Sequence, residues 1–552
     1  MSEDTPQAPE REARAAASDS VQGGLTRREL LKAGAVAGVA GAVAGPAAVA
    51  AAVTSEPPPP GMPDLILTRG KIHTMDAADR VVSSIAVKDG RFIEIGRDGR
   101  GGPQSRVINL RGRTVIPGII DAHNHIVLVG NRPGHHVCAE DVFTLQDLID
   151  RYIAKSAEVP PGEFITTIGP VAAQQFPELR LPTLQELDAV PRPVYVQAAQ
   201  GGIRTNTAGR AWLEPRGVTV TDTGVVSGPA LQRLREELLT PETRQRTALD
   251  ALQYFATLGI TTHLDDGAFH AELPANGIAS ENVYTMHNPF LALHARDELP
   301  VRLRINFLHQ DPASDPTIPA LSARLRNSFP FFGDDMMKTG GIGEFTGGGV
   351  AGLRAIAAAG WRAEDHSLNL NSFQTLVQNR EIVHAEIPLT DLRWVISHVP
   401  QTTPELVDRF KAIGGGLLVG WGPTRGGTNV GPAYRDLLAN GIPLGWHSDG
   451  GDITVISPWL NFYTTITGRN LAGTHILGEQ MLTRRQTIRL ATAANKWFIG
   501  EDDLGSIENG NHADFAVLDR DVFSCPEEEL KQIRSVLTVV GGKIVHDTGE
   551  VG

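Results

Sequence analysis

Between residues 114 and 449, short apolar runs alternate with longer amphipathic stretches, and many of the runs end on a polar residue beside a glycine or a loop. The pattern is clearest in Arg393-Trp-Val-Ile-Ser-His398, residues 403–413, Gly416-Leu-Leu-Val419, residues 434–440 and Ile442-Pro-Leu-Gly445. Short strand, amphipathic helix, short strand is the pattern of parallel strands joined by helical crossovers. It predicts an α/β fold, with a parallel sheet or a (β/α)8 TIM barrel as its centre. No internal sequence repeat accompanies it.

Where such strands end in polar residues, chemistry is expected, because barrel sites lie at the C-terminal ends of the strands. After Thr114-Val-Ile116, the turn Pro117-Gly118 leads into Ile119-Ile-Asp-Ala-His123-Asn-His125. Residues two apart on a strand point to one side, so His123 and His125 can face one metal ion. Lys338, His366, His398 and Asp449 each sit at or near the end of a strand-like run. A barrel of about 250 residues gives about 31 to each strand–helix unit. The 28 residues from Lys338 to His366 and the 32 from His366 to His398 each fit one unit. The 51 from His398 to Asp449 fit two short ones, with a strand at residues 417–419 between them. If the two histidines lie on strand 1, the four residues fall on strands 4, 5, 6 and 8. The longer gap from His123 to Lys338 calls for an insertion of roughly 120 residues after strand 1. Residues 130–245, irregular and punctuated by proline and glycine, are expected to supply it. Residues 254–259 and Ile260-Thr-Thr-His-Leu-Asp265 then read as the helix and strand of the resumed barrel.

The two ends of the folded chain carry strand-like runs of their own. Asp64-Leu-Ile-Leu-Thr68, Ile72-His-Thr74, Ser84-Ile-Ala-Val-Lys88 and Arg91-Phe-Ile-Glu-Ile-Gly96 lie at one end, with Asp89-Gly90 as a hairpin turn. Asp514-Phe-Ala-Val-Leu-Asp519, Ser535-Val-Leu-Thr-Val-Val540 and Lys543-Ile-Val-His546 lie at the other. A small β-sandwich built from residues 62–115 and 505–548 is expected, around a barrel of residues 116–504. The net charge of −13 carries no basic footprint for nucleic acid. The two cysteines cannot form a disulfide framework or a Cys-rich zinc site, and are expected to be free thiols.

The amino terminus reads as an address. Residues 1–25 are small, polar and charged. Thr26-Arg27-Arg28-Glu29-Leu30-Leu31-Lys32 and an Ala/Gly/Val run to residue 53 come next, with Ala-x-Ala options such as Ala50-Ala51-Ala52. The segment resembles a twin-arginine (Tat) signal. That implies export by the Tat machinery to the periplasm or beyond, with no stable membrane span after cleavage. The alternative, a permanent transmembrane helix, would draw little insertion energy from alanine and glycine. A proline-rich linker at residues 54–61 separates this region from the folded chain.

Pro117-Gly118 with Asp121-Ala122-His123-Asn124-His125, Gly259-Ile260-Thr261-Thr262, residues 394–398, residues 445–449 and Gly505-Ser-Ile-Glu-Asn-Gly-Asn-His-Ala-Asp514 together resemble the amidohydrolase superfamily, and the long insertion resembles its third family. The resemblance covers about residues 62–548. It implies a binuclear metal site, with His123 and His125 on the more buried ion and His366 and His398 on the more exposed one. Lys338, carbamylated on its ε-amine, would bridge the two. Asp449 would bind the buried ion and take the proton of a hydroxide shared between the metals. The activity implied is hydrolysis of a C–N bond in a small amide, formamide, cyclic amide or carbamate. Zinc, as a pair of ions in each chain, is the metal a histidine-rich site favours, with manganese or iron suited to its oxygen ligands.

The remaining histidines are expected to be structural: His384 on an exposed loop, His263 as a satisfied core or supporting group, and His135-His136 as polarity of the insertion. Asp265 and Asp266 both stand where they could support the site. Ester or lactone hydrolysis, or deamination, would use the same residues. A metal- or ligand-binding protein of the cell envelope without catalysis is the rival of a different class. A small-molecule substrate is the expected partner, and assembly into a homo-oligomer stays open.

Overall fold

A computed structural model describes residues 61–97, 101–199, 202–267, 286–309, 311–312, 314–344, 346–420, 422–424, 431–451 and 454–552. The twin-arginine segment and the proline-rich linker up to residue 60 lie outside them. None of the described helices is long and apolar enough to cross a membrane.

Eight parallel strands form the centre. They are β1 (Ile119–Asn124), β2 (Ile260–Asp265), β3 (Arg302–Phe307), β4 (Met337–Ile342), β5 (Glu364–Ser367), β6 (Val395–His398), β7 (Gly416–Val419) and β8 (Leu444–Trp446). β1 to β4 pair in sequence order in one sheet, and β5 to β8 in another. The sheets meet at both edges. Ile342 of β4 donates its N–H to the Arg362 carbonyl just before β5 at 2.9 Å. On the other side the Asn495 side chain sits between β8 and β1. Its Nδ2 donates to the Ile120 and Trp446 carbonyls at 2.6 and 2.7 Å, and its Oδ1 accepts the Trp446 N–H at 2.9 Å. One carboxamide thus supplies the donors and acceptor that a further ladder would have supplied.

Local sequence explains the crossovers. Helix Pro404–Ala412 starts at Thr403, whose hydroxyl accepts the Leu406 N–H. It has proline in its first turn, Glu405 near its positive end and Arg409 and Lys411 near its negative end, and it buries Leu406, Val407 and Phe410. Helix Pro241–Leu258 ends on Gly259 at φ +84°, a left-handed cap that turns the chain directly into β2.

The two ends of the folded chain share one sheet, in which Phe515–Leu518 pairs antiparallel with Thr114–Pro117. A second, four-stranded sheet of Leu65–Thr68, Ile85–Lys88, Arg91–Ile95 and Arg106–Asn109 packs on it around Leu67, Phe92, Val115, Phe515 and Val539. The turn between two of these strands places Asp89 and Gly90 at φ +47° and +75°, as an Asp-Gly hairpin demands.

The insertion differs from its expectation. It is regular: His135–Val137, Ile165–Thr167, Val194–Gln197 and Ile203–Arg204 form a four-stranded sheet, covered by helices such as Leu145–Ser156. It has apolar clusters of its own, around Leu148, Tyr152 and Val194 and around Phe164, Tyr195 and Leu234. Its strands are only two to four residues long, so proline and glycine dominate the sequence pattern and mask them. His135 and His136 lie on the first of these strands. Cys138 and Cys525 are free.

Asn495→Ala should expose the weight of the β8–β1 closure. It strands two carbonyls and one N–H in a sealed interior, at about 1–3 kcal/mol for each group left unpaired. Urea unfolding should show a loss of at least about 2 kcal/mol; a change below about 0.5 kcal/mol would mean the closure does not rest on this side chain.

Candidate metal centre

His123, His125, His366, His398 and Asp449 come together at the C-terminal ends of the strands. Alternation along β1 sends Asp121, His123 and His125 to one side, and the rings of His123 and His125 meet edge to face, 5.3 Å between centroids. His398 closes β6 with its ring 5.1 Å from that of His123, and His366 on β5 lies 5.7 Å from His398. Asp449, three residues past β8, places Oδ1 3.2 Å from His125 Nε2 and 3.5 Å from His123 Nε2.

Lys338 is not with them. It is the second residue of β4, at the opposite end of the strand from the histidines, and its Nζ donates to Glu501 Oε2 at 3.1 Å. By composition, Met336-Met337-Lys338 reads as the end of a strand and the glycines after it as a loop. Instead β4 begins there and runs through Gly340 and Gly341. A Cβ at Gly340 would lie 2.9 Å from Asn306 Oδ1, and one at Gly341 2.8 Å from the Arg362 carbonyl. The glycines let the strand pass close to its neighbours.

The residue that β4 does deliver is Glu344, six positions beyond Lys338 and two past the end of the strand. Its Oε1 accepts from His366 Nδ1 at 2.5 Å and lies 3.3 Å from His398 Nε2, while Oε2 lies 3.5 Å from His125 Nε2. It lies between His125 on one side and His366 and His398 on the other. The available signal was its place: an acidic residue directly after the Gly340-Gly341-Ile342-Gly343 run.

A buried group of polar residues holds His123 from behind. His123 Nδ1 lies 2.7 Å from Glu364 Oε1 and 3.1 Å from Asp266 Oδ2. Glu364 is anchored by Arg362 at 2.9 Å, and Asn306 Nδ2 donates to Asp266 at 2.6 Å. Such partners orient a ligating imidazole and fix its tautomer. Of the two aspartates in question, Asp266 faces the centre. Asp265 instead accepts from His287 at 2.6 Å and from the Val127 N–H. His263 is buried, but neither of its ring nitrogens is hydrogen-bonded. His384 is half-buried at the end of helix Leu370–His384 rather than on an exposed loop, and its Nδ1 accepts the Leu389 N–H.

The charges fit a cation. His123 Nε2 is sealed from solvent without a hydrogen bond, facing the space bounded by the other donors. Three donor groups bring ligand atoms within 4.8 Å of one another: His123, His125 and Asp449; His123, Glu344 and His398; and His123, Asp266 and Glu364. Burial works to lower the pKa of His125, but Asp449 and Glu344 outweigh it and raise it to about 10. Burial would raise Glu344 and Asp449, yet the surrounding histidines hold both well below the usual carboxylate range. Protons thus fill the centre when metal does not, and metal must displace them. Asp449 at φ +53° and His398 at φ +67° both have left-handed backbone, at a cost of about 1–3 kcal/mol each.

The amidohydrolase family model matches residues 106–546. Among curated proteins, N-substituted formamide deformylase from Arthrobacter pascens is 31% identical over 134 residues, 23% of this chain and 24% of that protein. D-hydantoinase from Ralstonia pickettii is 41% identical over 12% of this chain and 14% of its own. The matches thus span about a quarter or less of these two relatives. Among solved structures, a metal-dependent hydrolase from Pyrococcus horikoshii superposes with a TM-score of 0.56 at 17% identity, covering 84% of this chain and 99% of its own. A zinc complex of atrazine chlorohydrolase from Arthrobacter aurescens gives 0.54 at 16%, covering 88% and 95%.

Metal content separates the two β4 residues. Glu344→Gln should lose bound zinc, whereas Lys338→Met should keep the wild-type content, measured by elemental analysis of the purified protein. The reverse result would return the bridging position to Lys338. Zinc affinity of metal-free protein should also rise steadily with pH up to about pH 10, because each ion must displace protons and His125 keeps its own until then.

Proposed function

Because this chain belongs to the amidohydrolase family, we propose that it is a metal-dependent hydrolase that cleaves a C–N bond of a small amide-like molecule. An amide, formamide, cyclic amide or carbamate fits the reading. The observation that carries it is the convergence of four histidines with Glu344 and Asp449 around the unpartnered Nε2 of His123. The deformylase and hydantoinase among the partial matches support the same bond type. In this reading the eight strands are those of a (β/α)8 barrel, flanked by a β-sandwich from both chain ends.

The donor set suits two divalent ions, with zinc favoured by its imidazoles. His123, His125 and Asp449 would hold one, and His366 and His398 the other. Glu344, with an oxygen towards each, would bridge them in place of a carbamylated lysine. Bound metal would supply an activated water and polarise the scissile carbonyl. With Nδ1 held by Glu364, His123 would present Nε2 to the ion once its second proton is displaced. Asp449 stands where a carboxylate can accept a proton from the attacking water and return it to the leaving nitrogen. The twin-arginine pair, Arg27 and Arg28, supports export of the chain to the periplasm or beyond.

Chelation should abolish turnover, and added zinc should restore it. Asp449→Asn should cut kcat by about 10²–10⁴-fold on any amide substrate found by screening amides, cyclic amides, carbamates, esters and aminopurines. Hydrolysis confined to esters, or turnover indifferent to chelation, would defeat the C–N reading.

A further inference from the structure

The chain leaving β8 carries Asp449 and runs beside the insertion, and two buried ionisable side chains of the insertion segment grip it. Arg132 is wholly enclosed. Its Nη1 donates to the Thr167 and Ile168 carbonyls at 2.7 and 3.3 Å, at the end of an insertion strand. Its Nη2 donates to the Gly451 carbonyl at 2.8 Å, two residues past Asp449. Glu140, 1% exposed, accepts the Ile456 N–H at 2.6 Å and the Ser457 N–H at 2.8 Å, and its second oxygen also accepts from the Tyr254 hydroxyl at 2.7 Å.

Just before the first of these grips the backbone is pressed against His123 and His125 of the β1 end. His125 donates its N–H to the Gly450 carbonyl at 2.8 Å, and Asp449 donates its own to the His123 carbonyl at 3.1 Å. A Cβ at Gly451, at φ +139°, would lie 2.6 Å from the His125 carbonyl oxygen. The Thr454 hydroxyl folds back onto the Ser448 and Asp449 carbonyls at 2.6 and 3.0 Å. Asp449 itself has the left-handed backbone that an aspartate holds only when its surroundings over-determine it. The hydrogen bonds of the Arg132 guanidinium are charge-assisted, about twice as strong as neutral ones, and Glu140, whose carboxyl burial raises to about 7, adds two backbone contacts of its own.

We propose that Arg132 and Glu140 are positioning residues for Asp449: by holding the segment that follows it at Gly451 and again at Ile456 and Ser457, the insertion sets how tightly the centre binds its metal. This rests on the metal-centre reading above. The insertion is then part of the apparatus that places a ligand, in addition to any wall it offers to substrate. A role confined to packing the insertion on the rest of the chain would lower stability but leave metal affinity alone.

The full chain can be tested with zinc alone. Zinc affinity is measured by competition with a chromophoric chelator, and Tm is measured with and without zinc, for Arg132→Lys, Glu140→Gln and Gly169→Ala. The last keeps the charge but places a methyl against Glu140, because a Cβ at Gly169 would collide with its Oε1. Each variant should weaken zinc binding by about ten- to a hundredfold and narrow the Tm gap between zinc-loaded and metal-free protein. In an Asp449→Asn background the same changes should alter the affinity for the remaining zinc by less than about twofold, since the residue they act through is already lost. Unchanged affinity, an equal fall of Tm with and without zinc, or a full effect in the Asp449→Asn background would each overturn the proposal. If the wild type binds no zinc, the metal-centre reading falls with it. Tight zinc binding without C–N hydrolysis would overturn the activity alone.

Discussion

The closure between β8 and β1 is the constraint on which the rest of the site depends. His123 and His125 leave one edge of the strand order and Asp449 the other, and the Ser448-to-Asp121 contact spans 327 residues of chain. The edges are joined by few groups. Asn495 bridges the strands, Asp121 accepts both the Ser448 N–H at 2.9 Å and its hydroxyl at 2.5 Å, and the Asp449 N–H reaches the His123 carbonyl. All of these groups are buried or nearly so, and an unpaired polar group there costs more than a made bond contributes. The contacts that join β8 to β1 therefore also aim Asp449 at the histidines of β1.

The same scarcity of solvent governs the charges beneath the centre. Burial raises Asp266 well above the usual carboxylate range, helped by the nearby Glu364. Burial also works to raise Glu364, but His123 and Arg362 outweigh it and lower its pKa. One carboxylate is thus biased towards its neutral form and the other towards its charged form, and His123 stands between this layer and the ligands. His447 lies with its ring 4.9 Å from both His123 and His398, and burial together with those rings pushes its pKa down, so it adds no positive charge to the centre. An interior that holds several ionisable groups is stable only when each is paired, neutral or bound to metal.

β4 shows how packing moves a functional residue along a strand. Gly340 and Gly341 read as loop by composition, yet they are the positions where the strand passes closest to Asn306 and Arg362. With the strand extended through them, Lys338 falls at its beginning, beside Glu501 and Arg304, and Glu344 arrives at the ligands. The insertion tells a similar story. Its short strands are stabilised by the clusters they share, and no single one is long enough to announce itself by alternation.

Sequence alone determined the features that local periodicity sets. The two-residue spacing of His123 and His125, the polar ends of β5 and β6, the helix caps at Thr403 and Gly259 and the Asp89-Gly90 turn are all properties of a few neighbouring residues, and spacing along the chain carried His366 and His398 to the ends of β5 and β6 and Asp449 to the residues just past β8. Tertiary structure decided everything that depends on a distant partner. It put Glu344, and not Lys338, beside the histidines, because β4 begins at Met337 and runs through the glycines that fit against Asn306 and Arg362. It brought Glu364 and Asp266 behind His123, and it put Asn495, Arg132 and Glu140 on the backbone around Asp449. Those roles come from hydrogen bonds between residues tens to hundreds apart in the chain, and a one-dimensional pattern holds no record of which buried donor will meet which acceptor.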